Sequence, residues 1–286
     1  MLTNRELLRG LAWAGLCFCG CSRELPAERA LGMTPDVPRS VAFVAASSEA
    51  PAVSPKVTAT IRGSGVAVVE LFTSEGCSSC PPADRVLATL AARAKAASLP
   101  VFPLSFHVDY WNYLGWRDRF SSASYSERQR EYGPISAGGG TYTPQAVVNG
   151  EAECVGSDAS RVDALIASAL KRPSRTQIAL EARRGEHGIE VSYRVSGETT
   201  ARVINLALVE PRVETAVERG ENGGERLVHV NVVRVFSSRP LSEGTAGSWS
   251  PPASPSADFQ ARRVGVVSYV EGVTQRDVSG AAALEL

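Results

Sequence analysis

The chain has 286 residues, enough for about two domains, and its 44% hydrophobic and 21% charged content is that of an ordinary globular protein. Its 30 basic residues balance its 30 acidic ones, which removes the electrostatic case for nucleic acid as a partner. No apolar run reaches the length of a membrane-spanning helix.

The first residues read as a targeting segment. Arg5 and Arg9 precede a short apolar run, Gly10–Gly20, which is the layout of a secretory signal. The run ends at Phe18-Cys19-Gly20-Cys21, which resembles a bacterial lipobox, although Phe18 and Cys19 replace its usual Leu and small residue. Lipidation of Cys21 would tether the protein to a membrane; cleavage nearby, giving a soluble protein, is the alternative. Either route predicts a periplasmic or otherwise exported protein in an oxidising compartment. Residues 22–62 carry Pro26, Pro35, Pro38, Pro51 and Pro55 in Ala- and Ser-rich sequence without a helical or strand period. They read as a disordered linker.

The chemistry is concentrated in Glu70-Leu-Phe-Thr-Ser-Glu-Gly-Cys77-Ser-Ser-Cys80-Pro81-Pro82-Ala-Asp84. The Val-rich stretch before it predicts a buried strand, and Val86, Leu87 and Leu90 after it mark one face of a helix. A C-x-x-C therefore sits where a strand turns into a helix, and the helix N-terminus favours a thiolate there. Pro81 and Pro82 suit a first helical turn, whose N–H groups are unpaired anyway. Cys77 is expected to face solvent and attack, with Cys80 deeper as the resolving thiol. A redox dithiol, half of a metal site and a structural disulfide all fit this motif. A four-cysteine zinc site would need more ligands than the remaining Cys154 supplies outside the N-terminal segment. Cys154 itself reads as an inert packing cysteine. Glu70 is either a strand-end carboxylate reaching water or a buried one exchanging a proton with the resolving cysteine.

Residues 100–106 predict a second strand, parallel to the first, which would bring His107 and Asp109 to the edge occupied by Cys77. The segment His107–Phe120 holds Tyr110, Trp111, Tyr113 and Trp116, an aromatic density that suits either a plug over the sheet edge or a partner-facing surface. A short helix follows, with Ser124 and Glu127 at capping-box spacing. Beyond Gly138–Gly140, Asn149-Gly150 between strand-like runs is a hairpin signal. Ser157-Asp158 then caps a helix bearing Val162, Leu165, Ile166 and Ala169 on one face.

That order, with Cys77-Ser-Ser-Cys80 and Tyr142-Thr143-Pro144, resembles the thioredoxin fold. The resemblance implies a cis Pro144 against the dithiol and an outward-facing Thr143 backbone able to pair with an extended substrate. Ser-Phe-His107-Val-Asp109-Tyr-Trp-Asn-Tyr-Leu-Gly-Trp and Tyr-Thr143-Pro144-Gln-Ala-Val-Val-Asn-Gly, together with the cysteine stretch, further resemble the secreted bacterial family catalogued as domain of unknown function 1223. That family brings no substrate.

Past Pro173, runs at 176–182, 188–195, 202–210, 227–236 and 263–271 alternate apolar and polar residues and predict strands; residues 238–258 read as a long loop. His229 reads as structural. The expected organisation is therefore a signal (1–21), a linker (22–62), an α/β thioredoxin-like fold (63–172) and an all-β, sandwich-like C-terminal domain (173–286). The expected function is thiol–disulfide exchange on protein or small-molecule thiols or disulfides without a dissociable cofactor. The alternatives are a Cu(I) module using Cys77, Cys80 and His107, or a non-catalytic interaction module.

Overall fold

The computed structural model describes residues 56–59, 64–136, 139–185, 188–252 and 263–286. The signal segment with Cys21, and the linker except for its last strand, lie outside the described residues. In chain order the strands and α-helices are β1 (Lys56–Ala59), β2 (Ala67–Thr73), α1 (Pro81–Ala96), β3 (Val101–His107), α2 (Ala123–Arg130), β4 (Gln145–Val148), β5 (Ala152–Val155), α3 (Ala159–Leu170), β6 (Thr176–Gly185), β7 (Gly188–Gly197), β8 (Arg202–Ala216), β9 (Arg226–Pro240), β10 (Ala246–Trp249), β11 (Gly265–Gly272) and β12 (Val278–Glu285). No helix among the described residues is long and apolar enough to cross a membrane.

The strands form a four-stranded sheet, β1-β6-β7-β10, and an eight-stranded mixed sheet, β12-β11-β8-β9-β3-β2-β4-β5. This overturns the expected α/β thioredoxin-like fold followed by a sandwich-like domain. The molecule is mostly β, with three α-helices among the described residues, and one sheet runs through both parts. The joint is the outer edge of β3. An open edge is a row of unpaired backbone groups that a neighbouring strand can satisfy. Here β9 runs parallel to it at Ser105↔Val232, and Asn231 Nδ2 donates to the Pro103 carbonyl at 2.9 Å. Side chains from both parts then share one core: Phe72, Leu104 and Phe106 pack with Val209, Val233, Val267 and Tyr269.

Local signals are obeyed within this different whole. The β2–β3 pair is parallel, and Asn149 and Gly150 both take positive φ at the β4–β5 hairpin. Only an Asn-Gly-like pair adopts that turn cheaply. The Asn149 side chain also accepts from Val68 N and donates to Val66 O, tying the hairpin to β2. Asp158 caps α3 by accepting from Arg161 N. The α2 cap is Ser122 rather than Ser124.

Three strands escaped the sequence. β12 is Gly- and Ala-rich and lacks the β-branched signal. β10 lies inside the presumed 238–258 loop, of which residues 253–258 are not described. Lys56–Ala59, assigned to the linker, instead pairs with β6.

The alternation of β2 sorts what lies near the cysteines. Ala67, Val69 and Leu71 face α1 and α3, whereas Val68, Glu70 and Phe72 face the other core with α2. Glu70 is thus on the face away from α1, and neither reading of it survives. It is buried and paired in two hydrogen bonds with Arg128, which also bonds Tyr132, Tyr269 and Glu271.

Candidate functional site

β2 ends at Thr73, and the chain turns through Ser74-Glu75-Gly76 into the cysteine loop, with α1 starting at Pro81. Cys77 and Cys80 form a disulfide across 5.4 Å of Cα separation. The Thr143–Pro144 bond is cis. The Thr143 hydroxyl donates to Cys77 Sγ at 3.2 Å and accepts from Trp111 Nε1 at 2.8 Å. The Ser79 hydroxyl lies 3.3 Å from Cys77 Sγ and 3.4 Å from the Thr143 carbonyl, to which it donates. Donors to a sulfur favour its thiolate over its thiol. The Thr143 carbonyl, which the resemblance placed free for a substrate, is thus engaged within the chain.

Cys77 does not face solvent as expected. It is 1% exposed and Cys80 is 0%, whereas Ser78 and Ser79 between them are exposed. Two segments make the cover. One is the aromatic stretch. A Cβ on Gly76 would sit 3.1 Å from Trp111 Cβ, so glycine permits this approach, and Trp116 Nε1 donates to Glu75 Oε2 at 2.8 Å. Tyr113, by contrast, is 78% exposed. The other segment is the turn between β8 and β9, about 145 residues downstream, whose Asn222 Nδ2 donates to the carbonyls of Glu75 (2.8 Å) and Cys77 (3.0 Å). Glu221 accepts from the Ser78 amide at 3.0 Å, and the Ser78 hydrogen bonds lower its pKa.

Beneath the loop lies a buried polar cluster. His107 Nδ1 sits 2.7 Å from Asp118 Oδ2, which also accepts from Glu75 N. Burial alone would raise the Asp118 pKa, but the His107 ring and the amides of Glu75 and Phe120 bring it below the usual value. The His229 ring packs edge-on against His107 at 4.7 Å, with Nε2 3.6 Å from Glu75 and Nδ1 3.5 Å from Asp84. These are ion pairs at long range rather than close hydrogen bonds. Burial pushes the imidazole pKa down; the carboxylates of Asp84 and Glu75 outweigh it and lift it to about 10.

The remaining expected residues sort as follows. His107 Nδ1 bonds Asp118 while its Nε2 has no hydrogen-bond partner, and among the described residues no group of three His, Cys, Asp or Glu side chains is placed to hold a metal ion. Asp109 holds α2 instead of the cysteines: its amide and carboxylate both bond the Ser126 hydroxyl. Cys154 is a buried free thiol pushed up to about 11, by burial first and then by Asp158 and Glu153. Sequence reasoning missed Glu75, Asp84, Asp118, Glu221 and Asn222, and it read His229 as merely structural. Glu75 and Asp84 flank the motif, which was a usable signal; Asn222 had none. An apolar groove of about 650 Å³ lies away from the disulfide, between α1 and β8, β11 and β12, around Ala91, Leu99 and Val267.

Residues 68–271 match the model of the family described as protein of unknown function (DUF1223), and the chain belongs to that family. Among solved structures, a crystal structure of an Agrobacterium tumefaciens protein is 26% identical over 78% of this chain and 94% of that one, with a TM-score of 0.53. HBP35 of Porphyromonas gingivalis is 10% identical over 78% of this chain and 75% of that one, with a TM-score of 0.55, a likeness of fold alone. No curated protein matches.

Proposed function

We propose that the protein is an exported thiol–disulfide oxidoreductase acting through Cys77 and Cys80 on protein or small-molecule thiols or disulfides. The observation that carries this reading is the Cys77–Cys80 disulfide at a strand-to-helix turn, with the hydroxyls of Thr143 and Ser79 directed at Cys77 Sγ. When the pair oxidises a substrate, a substrate thiolate attacks Cys77, Cys80 departs, and a second substrate thiolate releases Cys77; when the reduced pair acts on a substrate disulfide, the Cys77 thiolate attacks it and Cys80 resolves the mixed disulfide. The charged, apolar N-terminal segment supports export, and an oxidising compartment would keep the pair bonded at rest. Because Cys77 is covered, attack requires the Asn222 clamp or the Trp111 segment to lift.

The burial of both sulfurs favours a second reading, a structural staple. Variants separate the two. If the pair is redox-active, Cys77→Ser abolishes thiol-dependent reduction of insulin, while Cys80→Ser accumulates mixed disulfides at Cys77, detected by mass. Equal and undetectable turnover in wild type and both variants would leave only the staple.

A further inference from the structure

We propose that Asp84 and His229 form a proton relay to Cys80 Sγ, positioning a proton for the thiolate that leaves when Cys77 is attacked; this rests on the oxidoreductase reading above. Cys80 is the N-cap of α1, and Asp84 lies one turn further, with its N–H bonded to the Cys80 carbonyl. Side chains four apart share a helix face, so Asp84 and Cys80 stand on one face of the first turn of α1. Asp84 Oδ1 accepts from Thr73 at 3.0 Å, while Oδ2, 3.5 Å from His229 Nδ1, has no hydrogen-bond partner.

His229 is enclosed on every side. Asp84 faces it from α1, Glu75 from the loop after β2 and His107 from β3, with Asp118 behind His107 and Phe120 at 6.2 Å. A histidine that merely neutralises buried carboxylates is expected to bond them closely, since buried polar groups are nearly always satisfied. Here both ring nitrogens of His229, Nε2 of His107, Glu75 Oε1 and Asp84 Oδ2 lack such partners. The five atoms converge under the disulfide loop. That is a network able to take up or release a proton by small shifts, because none of these atoms must first break a close bond.

The step balances. A substrate thiolate attacks Cys77 Sγ, the Cys77–Cys80 bond breaks, and its electron pair goes to Cys80 Sγ. The Asp84 carboxylate takes the proton from His229 Nδ1 and passes it to Cys80 Sγ, which leaves His229 neutral and Asp84 ionised as before. A second substrate thiolate then attacks the substrate sulfur of the mixed disulfide and releases Cys77 as thiolate. Two substrate thiols supply the two electrons and become a disulfide. Solvent returns the proton to His229 when the cover lifts.

The test uses the full-length protein reduced by dithiothreitol from pH 6 to 11, with acid quench, alkylation and mass detection, and rates divided by the reductant's thiolate fraction. Wild type should give a plateau at neutral pH that falls as His229 loses its proton near pH 10. H229Q and D84N should lower the plateau about tenfold and abolish the fall. E75Q keeps the relay but removes one of the carboxylates that hold the imidazolium, so its fall should move to lower pH; it also decides the matter if H229Q does not fold. Folded H229Q and D84N with wild-type plateau and profile, or an E75Q profile that does not move, would overturn the relay. Folded wild type that dithiothreitol cannot reduce would instead overturn the oxidoreductase reading, and the relay with it.

Discussion

Among the described residues, the buried charge networks around Arg128 and around His229 are built to opposite standards. Around Arg128, every member is bonded. The guanidinium meets Glu70, Glu271, Tyr132 and Tyr269, and both Tyr132 and Tyr269 donate to Glu70. Around His229, five polar atoms have no close partner although all are buried. A fully satisfied network rigidifies a core, whereas one left partly open forgoes stability. The first joins α2, β2 and β11 across the two parts of the chain. The second sits under the disulfide loop, where stability is spent on a group of protons that can move.

The comparison breaks most readily at Arg128. Arg128→Met leaves Glu70 and Glu271 buried without a counter-charge, and removing one partner of such a network costs about 3–5 kcal/mol. Urea unfolding of the variant should show a loss of that order; wild-type stability would mean that the satisfied network holds nothing.

A comparable effect is expected from pH at the open network. The folded His229 pKa of about 10 lies above its ordinary 6.5. Its pairing therefore stabilises the fold fully below pH 6.5 and is lost as pH rises through about 10, a change of a few kcal/mol by linkage. Stability of wild type should decline across that window more steeply than that of H229Q. Parallel curves would remove the charged His229 from the account.

The disulfide itself contributes less. Closing so short a loop restricts the unfolded chain by about 2 kcal/mol. A Cys77→Ser/Cys80→Ser double variant should lose about that much and remain folded, as thermal unfolding would show. Unfolding of the double variant at room temperature would favour the staple.

The smallest change is at the clamp. Asn222→Ala removes two hydrogen bonds to the cysteine loop, about 1–2 kcal/mol of local stability. The same substitution should accelerate reduction of the disulfide severalfold, since the cover opens more often. An unchanged rate would place the gate at the Trp111 segment instead.

How far the sequence could be read follows from the range of each signal. The strand-to-helix turn at Cys77, the β2–β3 parallel pair, the Asn149-Gly150 turn and the Asp158 cap are local, and local chemistry marks them. The joining of β9 to β3 depends on Val232 meeting Ser105 across more than a hundred residues, and no local pattern announces it. The thioredoxin-like expectation failed there. The same range separates Glu75 and Asp84, which flank the motif, from Asn222 and His229, which reach it only through that joint. Glu70 failed for a different reason. Its position in β2 was right, but parity turns it to the face away from α1.

The central claim, that Cys77–Cys80 exchanges in the folded protein, is tested most directly by the reduction rate of wild type in increasing urea below the unfolding transition. Local opening of the Asn222 cover exposes little surface, so the account predicts a rate nearly independent of urea and a folded product with both cysteines alkylated. A rate that rises with the full urea dependence of global unfolding would contradict it, because the disulfide would then react only once the fold is gone.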